Sequence, residues 1–396
     1  AMGVQHVIAM FGATVLAPIL MGFDPNLAIF MSGVGTLLFY FITGGQVPSY
    51  LGSSFAFIGV VIAATGYGGQ GPNANLPVAL GAIIVCGLLY ALIGALVNAV
   101  GTRWIERLMP PVVTGAVVAV IGLNLAAIPV KNMAASNFDS WMQLVTFVSV
   151  ALVAVFARGM VQRLLILVGL AIATLIYVLL ANGLGLGKPM DFSGIANAAW
   201  VGLPRFTAPE FSGNAMLLIA PVALILVAEN LGHLKAVAAM TGRNLDPYIG
   251  RAFTADGVAT MISGAAGGTG VTTYAENIGV MAATRIYSTA VFVVAALMAL
   301  VLGFSPKFGA LIQAIPLPVM GGVSIVVFGL ITIAGARIWV DNKVDFSNPA
   351  NLLTAAITLI LGTGDFTLKF GSFALGGIGT ATFGAVLLHA LLRRRA

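Results

Sequence analysis

Three ionisable side chains stand in stretches where charge is costly: Glu229, His233 and Glu276. A carboxylate at the centre of a bilayer costs at least about 2.5–3.5 kcal/mol on insertion scales, so such a residue marks function by default. Glu229 and His233 are four apart, which puts them on one face of a helix. Glu276 follows the run Thr272-Thr273-Tyr274. Together the three can bind a polar solute and carry a proton. No Lys or Arg falls inside the apolar segments beyond Arg251 at the edge of one, so a structural ion pair is the weaker reading of Glu229. His233, near a helix end with Lys235 close by, could equally cap or orient. His6 reads as a satisfied structural histidine, His389 as a helix-end residue and Asp256 as a packing or gating group. The phenylalanines read as packing, with Phe55 the exception by position.

The elements that must position these residues are membrane spans. Sixty per cent of the 396 residues are hydrophobic and only 8 % are charged; the mean hydropathy is +1.06. A soluble domain carries roughly a quarter charged residues, and a crossing helix needs about 20 apolar ones. An all-α polytopic membrane protein is therefore expected. Apolar runs fall at 2–22, 27–44, 52–66, 78–99, 110–128, 141–157 and 164–182. The second half adds 214–234, 251–266, 273–284, 286–304, 318–336, 348–363 and 374–392, for 14 spans. Basic residues support that count through the positive-inside rule. Loops after even spans and the C-terminus hold Arg103, Arg107, Arg158, Arg163, Lys235, Arg243, Arg251, Arg285, Arg337, Lys343 and Arg393 to Arg395. Only Lys131, Lys188, Arg205, Lys307 and Lys369 fall on the other side. Both termini are expected in the cytoplasm.

The halves also resemble each other. Pro111-Val112-x-x-Gly115-x6-Gly122-Leu123 recurs as Pro318-Val319-x-x-Gly322-x6-Gly329-Leu330, and Ser53-Ser54-Phe55-Ala56 parallels Thr272-Thr273-Tyr274-Ala275. Each pair lies seven spans apart, and an odd repeat turns the second copy upside-down, the inverted plan of secondary transporters. Spans three and ten carry Gly52 and Gly267-Gly268-Thr269-Gly270, which oppose continuous helix. Non-helical backbone at that depth must line a cavity or be buried in protein. Short extended segments leading into half-helices are expected there, with N–H groups aimed at a central site.

Other classes find little support. The net charge of +6 comes from loops, and no run combines basic and aromatic residues for nucleic acid. Cys86 is a lone cysteine in an apolar run and can form no internal disulfide. Metal-ligand spacing, a nucleophile elbow and a phosphate loop are all missing, so neither an enzyme nor a cofactor is expected. No cleavable signal peptide is visible, and a short polar tail is expected before Ala1.

The run Glu276-Asn277-Ile278-Gly279-Val280-Met281-Ala282-Ala283-Thr284-Arg285 fits the nucleobase–ascorbate transporter signature, an acid or amide followed by N-x-G-x4-T-[RKG]. Gln5-His6, Leu51-Gly52-Ser53-Ser54-Phe55-Ala56-Phe57 and Ala228-Glu229-Asn230-Leu231-Gly232-His233 also resemble that family, most closely its bacterial uracil permeases. The resemblance covers essentially the whole chain. It implies a 7+7 inverted repeat with a core domain in 1–100 and 212–305 and a gate domain in 108–184 and 316–394. It also implies a homodimer through the gates and uptake of uracil or a related pyrimidine across the bacterial inner membrane, by proton symport with an elevator motion.

Carried over by position, the resemblance implies that Glu229 and Glu276 hold the ring's polar groups and that backbone amides at Phe55 and Ala275 meet its carbonyls. His233 would be tied to Glu229, Tyr274 would wall the site, Ser54 would join the contacts and Ala13 would pack near the ring. Glu229, His233 and Glu276 would couple protons. In the family an acid at the first signature position goes with uracil and Gln with xanthine or urate. Ala275 departs from the Gly that uracil permeases often carry, which narrows the pocket. A purine or xanthine permease and an anion exchanger of the same architecture are the alternatives, and sodium coupling stays open.

Overall fold

The computed structural model describes residues 2–68, 71–370 and 373–392. Arg393 to Arg395 and the end of the last expected gate segment lie outside the described residues. In the first half, α1 (Met2–Met21) and α2 (Pro25–Ile42) precede a short strand β1 (Leu51–Ser53), a 3₁₀ turn (Phe55–Phe57) and α3 (Ile58–Thr65). Then come α4 (Leu76–Val100), the short α5 (Arg103–Leu108), α6 (Pro111–Leu125), α7 (Asn137–Phe156), α8 (Met160–Arg163) and α9 (Leu165–Val178). After α10 (Ser193–Asn197), the second half holds α11 (Gly213–Ile219), α12 (Val222–Thr241), α13 (Ile249–Ala266), β2 (Val271–Thr273) and α14 (Ala275–Thr284). It closes with α15 (Thr289–Gly303), α16 (Pro306–Gln313), α17 (Leu317–Asp341), α18 (Pro349–Thr363), the hairpin β3 (Leu368–Phe370) and β4 (Phe373–Leu375), and α19 (Gly377–Leu392).

Among the described residues, eight helices are long and apolar enough to cross a membrane. Counting α15 and α16, bent by 84°, as one span gives nine. The remaining segments are shorter or broken, except α13, which is 18 residues long but carries Arg251 and Asp256. Local chemistry sets several starts: Asp24 caps α2 by accepting from Asn26 N at 2.9 Å with Pro25 at the first position. Asn348 caps α18 the same way through Ala350 N at 2.9 Å. Two sequence readings need correction. The β3–β4 hairpin adds strand that was not expected. The helix carrying Glu229 runs on to Thr241, so His233 lies two turns inside it rather than near its end. Lys235, read as the edge of the span, is instead accommodated by pairing with Glu106 at 3.1 Å and Asp246 at 2.8 Å.

Helix contacts obey the repeat seen in sequence. Packing of α4 on α13 has its counterpart in α2 on α15, α6 on α18 in α7 on α17, and α6 on α19 in α9 on α17. The pairs α7–α9 and α18–α19 likewise match. Exchanging the two halves therefore maps one set of contacts onto the other. Close approach is made by glycine, the usual device where lipid removes the hydrophobic drive between helices. A methyl on Gly257 of α13 would stand 2.4 Å from Ala91 N of α4, and one on Gly122 of α6 would stand 2.2 Å from Phe328 O of α17.

Candidate functional site

The two extended segments meet at the centre. β1 pairs antiparallel with β2, Leu51 opposite Thr273, Gly52 opposite Thr272 and Ser53 opposite Val271. Beyond this crossing the chain enters a helix on each side. Ser54 caps the first by accepting from Ala56 N at 3.3 Å, and Tyr274 stands at the N-cap of α14. The first N–H groups of a helix have no intrahelical acceptor, so amides at Phe55, Ala275 and Glu276 begin their helices as donors beside the crossing.

Glycines permit the crossing. A methyl on Gly270 would lie 2.2 Å from the Phe57 ring, and one on Gly52 would lie 2.5 Å from the Tyr274 ring. Gly267 closes α13 at φ +102°, a backbone conformation that side chains resist. Around it, Thr36 Oγ1 accepts from Leu51 N at 2.9 Å and Thr269 Oγ1 donates to Ser53 Oγ at 2.8 Å. The extended backbone is thereby satisfied inside protein, as an apolar surrounding demands.

The carboxylates flank this crossing. Glu276 lies in the first turn of α14 and Glu229 on α12, which packs against α14. Asp256 lies on α13, which also packs against α12. Oε2 of Glu229 is buried without a hydrogen-bond partner. Among the described residues no Lys or Arg forms an ion pair with any of the three acids; the ion pairs present join Lys235 to Glu106 and Asp246. Ala275 and Gly279 leave the adjacent face of α14 exposed, and a methyl on Gly279 would meet nothing within 4 Å.

His233 makes a different bond from the one the resemblance implied. Its Nδ1 lies 2.9 Å from Thr273 Oγ1, not on Glu229. Thr273 Oγ1 donates to Asn230 Oδ1 at 3.1 Å, and Asn230 Nδ2 donates to Tyr90 OH at 2.8 Å and to Asp256 Oδ2. An ionised Asp256 accepts only, and in that state the direction of the chain is fixed. Asn230 must turn its NH₂ to Asp256 and its carbonyl to Thr273, whose single proton is then used. His233 Nδ1 must therefore carry a hydrogen and donate it, leaving Nε2 as the acceptor.

Other expected contacts sit differently. Tyr274 does not wall the site: it is 3 % exposed, and its OH donates to Ser53 O at 2.9 Å and accepts from Thr14 at 3.3 Å. Its position at the strand end turns the ring back over Gly52, making it a strut behind the crossing. Ala13 and Ser54 are wholly buried. Phe55 packs edge-on against Phe328 of α17, ring centres 5.9 Å apart. Asn277 Nδ2 lies 3.0 Å from both His6 Nδ1 and His6 O, which joins α14 to α1. Sequence reasoning missed the weight of Asn230 and Tyr90. Their only signal was a polar residue beside Glu229 and a tyrosine in an apolar helix.

Comparison with known proteins gives the family and the fold. A profile described as "Permease family" matches residues 1–370. The chain is 70 % identical over 394 residues to "Putative pyrimidine permease RutG" of Escherichia coli (strain K12), covering all of this chain and 89 % of that protein. It is 42 % identical to "Uracil permease" of Paenibacillus larvae, covering 98 % and 92 %. Among solved structures, the transmembrane domain of a cyanobacterium bicarbonate transporter, BicA, shares the fold at a TM-score of 0.68 and 16 % identity, covering 91 % of this chain and 94 % of that one. SLC26A9 does so at 0.70 and 12 %, covering 99 % and 64 %. The chain therefore belongs to this permease family, among the uracil and pyrimidine permeases of the nucleobase–ascorbate transporters, and is a multi-pass membrane transporter.

Proposed function

We propose that the protein takes up uracil or a related pyrimidine across the bacterial inner membrane together with a proton. The observation that carries this is the pair of acids Glu229 and Glu276, without an ion-pair partner among the described residues, beside two helix starts at the strand crossing. Uracil offers two N–H donors and two carbonyl acceptors around a flat ring. Carboxylates supply acceptors for the donors, and the amides at Phe55 and Ala275 supply donors for the carbonyls. A wrong substrate that left such buried groups unpaired would cost about 1–3 kcal/mol for each. The names of the relatives point to the same substrate class.

The 14 crossings, cytoplasmic termini, and core and gate domains belong to the same proposal. Glycine packing supports the division into domains. Glycines inside the first group of helices (Gly87, Gly94, Gly250, Gly257) and inside the second (Gly115, Gly122, Gly335) touch neighbouring backbone at under 3 Å from an added methyl. Glycines facing between the groups meet side chains and no backbone: a methyl on Gly12 of α1 would stand 2.7 Å from Ile166 Cγ2 of α9, one on Gly232 of α12 3.4 Å from Ile338 Cδ1, and one on Gly59 of α3 3.7 Å from Asn124 Oδ1. A loosely interlocked boundary between two tightly interlocked bodies suits an elevator motion of the core, with the gates free to form a homodimer.

The test is radiolabelled uracil uptake into proteoliposomes under an imposed pH gradient. Wild-type protein should accumulate uracil, and Glu276→Gln should abolish gradient-driven uptake. Xanthine uptake in place of uracil would overturn the substrate, and uptake unchanged by collapsing the proton gradient would overturn the coupling ion.

A further inference from the structure

The short helix α5 joins α4 to α6, and its charges are unevenly matched. Glu106 is neutralised by Lys235 at 3.1 Å, which Asp246 also holds. That leaves Arg103 and Arg107, four residues apart and so on one face, both exposed and without an ion pair or hydrogen bond among the described residues. Two arginines side by side repel one another, and among the described residues no ion pair offsets them.

They do not face water alone. Arg103 and Arg107 line a shallow groove of about 570 Å³ with Leu96, Val100, Trp104 and Leu108. Leu96, Val100 and Leu108 are 48 %, 63 % and 45 % exposed. They continue the apolar surface of α4, which is long and apolar enough to cross a membrane. The groove thus begins on a lipid-facing helix and ends at a cationic pair, on the side where most basic loops gather. Trp104 adds a buried indole N–H that has no acceptor among the described residues. On their other side the two arginines border a wider crevice of about 1020 Å³ that Ser347 and Asn348 also line, leaving room for a polar headgroup.

We propose that Arg103 and Arg107 hold the phosphate of an anionic phospholipid whose acyl chain lies along Leu96, Val100 and Leu108. Guanidinium groups bind phosphate through charge-assisted, paired hydrogen bonds, and basic pockets at a membrane surface select anionic headgroups. Free phosphate would gain the charge contact but leave the apolar half of the groove in water. The bound lipid would brace α5, the link along which the two helix groups are joined, and so tie transport rate to membrane composition.

Native mass spectrometry of the full chain in neutral detergent, titrated with phosphatidylglycerol and with phosphatidylcholine, tests this. Phosphatidylglycerol should bind in preference. The pair Arg103→Gln and Arg107→Gln should weaken it roughly 30-fold, the loss expected for two basic contacts at an anionic surface. The pair Arg103→Lys and Arg107→Lys should retain most of the selectivity. Should the double Gln variant not fold, Arg103→Gln alone should weaken binding roughly fivefold. Inorganic phosphate should leave the melting temperature unchanged. Equal phosphatidylglycerol binding by wild type and the Gln variants would overturn the assignment. So would stabilisation by inorganic phosphate equal to that by the lipid.

Discussion

A methyl group at Gly52 cannot be housed where the two extended segments cross. Its carbon would stand 2.5 Å from Cε2 and Cζ of Tyr274 and 2.7 Å from Oγ1 of Thr14. Carbon contacts are at ease near about 3.5–4.0 Å, so something must move by about 1 Å. The Tyr274 ring is poorly placed to yield, because its hydroxyl is held on Ser53 O at 2.9 Å and by Thr14 at 3.3 Å. Gly52 cannot yield either without breaking its register with Thr272. Overpacking of this kind costs about 1–3 kcal/mol, which is roughly a 5- to 150-fold loss in the population of the intact crossing. In proteoliposomes, Gly52→Ala should lower gradient-driven uracil uptake at least about fivefold and lower the melting temperature in detergent. Tyr274→Ala is impaired on its own account but opens the space. In that background Gly52→Ala should add little, a coupling of about 1 kcal/mol or more. Wild-type uptake and melting by Gly52→Ala would refute the reasoning. So would an undiminished cost once the ring is gone.

The other expectations concern the polar chain, a surface cluster and the glycines. Thr273→Val keeps the shape but breaks the link from His233 to Asn230, leaving two buried groups unpaired at about 1–3 kcal/mol each. It should lower the melting temperature and change the pH profile of uptake, and Thr273→Ser should restore both. Lys235→Met removes contacts to Glu106 and Asp246, but these side chains are 43 % to 53 % exposed. Such pairs contribute at most about 1 kcal/mol, so the melting temperature should barely change. Gly279→Ala and Gly329→Ala, where an added methyl meets nothing within 4 Å, should melt as wild type does. Gly122→Ala and Gly257→Ala should lose about 1–3 kcal/mol, measured by denaturation in detergent.

What the sequence displayed and what it hid follow from how local each feature is. Glu229, His233 and Glu276 were visible because a charge in an apolar run needs no neighbour to be conspicuous. The two extended segments were legible because glycine density and the repeat both mark them within a few residues, whereas their antiparallel pairing was not. The partners of His233 were not legible: Thr273, Asn230, Tyr90 and Asp256 come from four separate elements, and only packing reveals that their hydrogen bonds form one chain. Tyr274 was misread because the last residue before a half-helix can turn its ring either toward the site or back over β1. The length of α12 was misread because Lys235 resembles a boundary until Glu106 and Asp246 are seen to neutralise it.

The likeness to BicA and SLC26A9 shows how little the fold decides about cargo, since sites are set by local chemistry on shared scaffolds. Two helix starts meeting at a crossing create a partial positive charge, and a site left in that state attracts an anion. Here Glu276 sits in the first turn of α14 itself, and Glu229 stands on α12, which packs against it. The two carboxylates more than offset the helix ends, so an anionic substrate would meet like charge in a poorly screened interior. A neutral ring with N–H donors meets the reverse: acceptors from the acids and donors from the amides. On the proposed reading the same acids also carry the coupled proton. On this view substrate choice and proton coupling are one property of the pair, so a variant that neutralises Glu276 should lose both together.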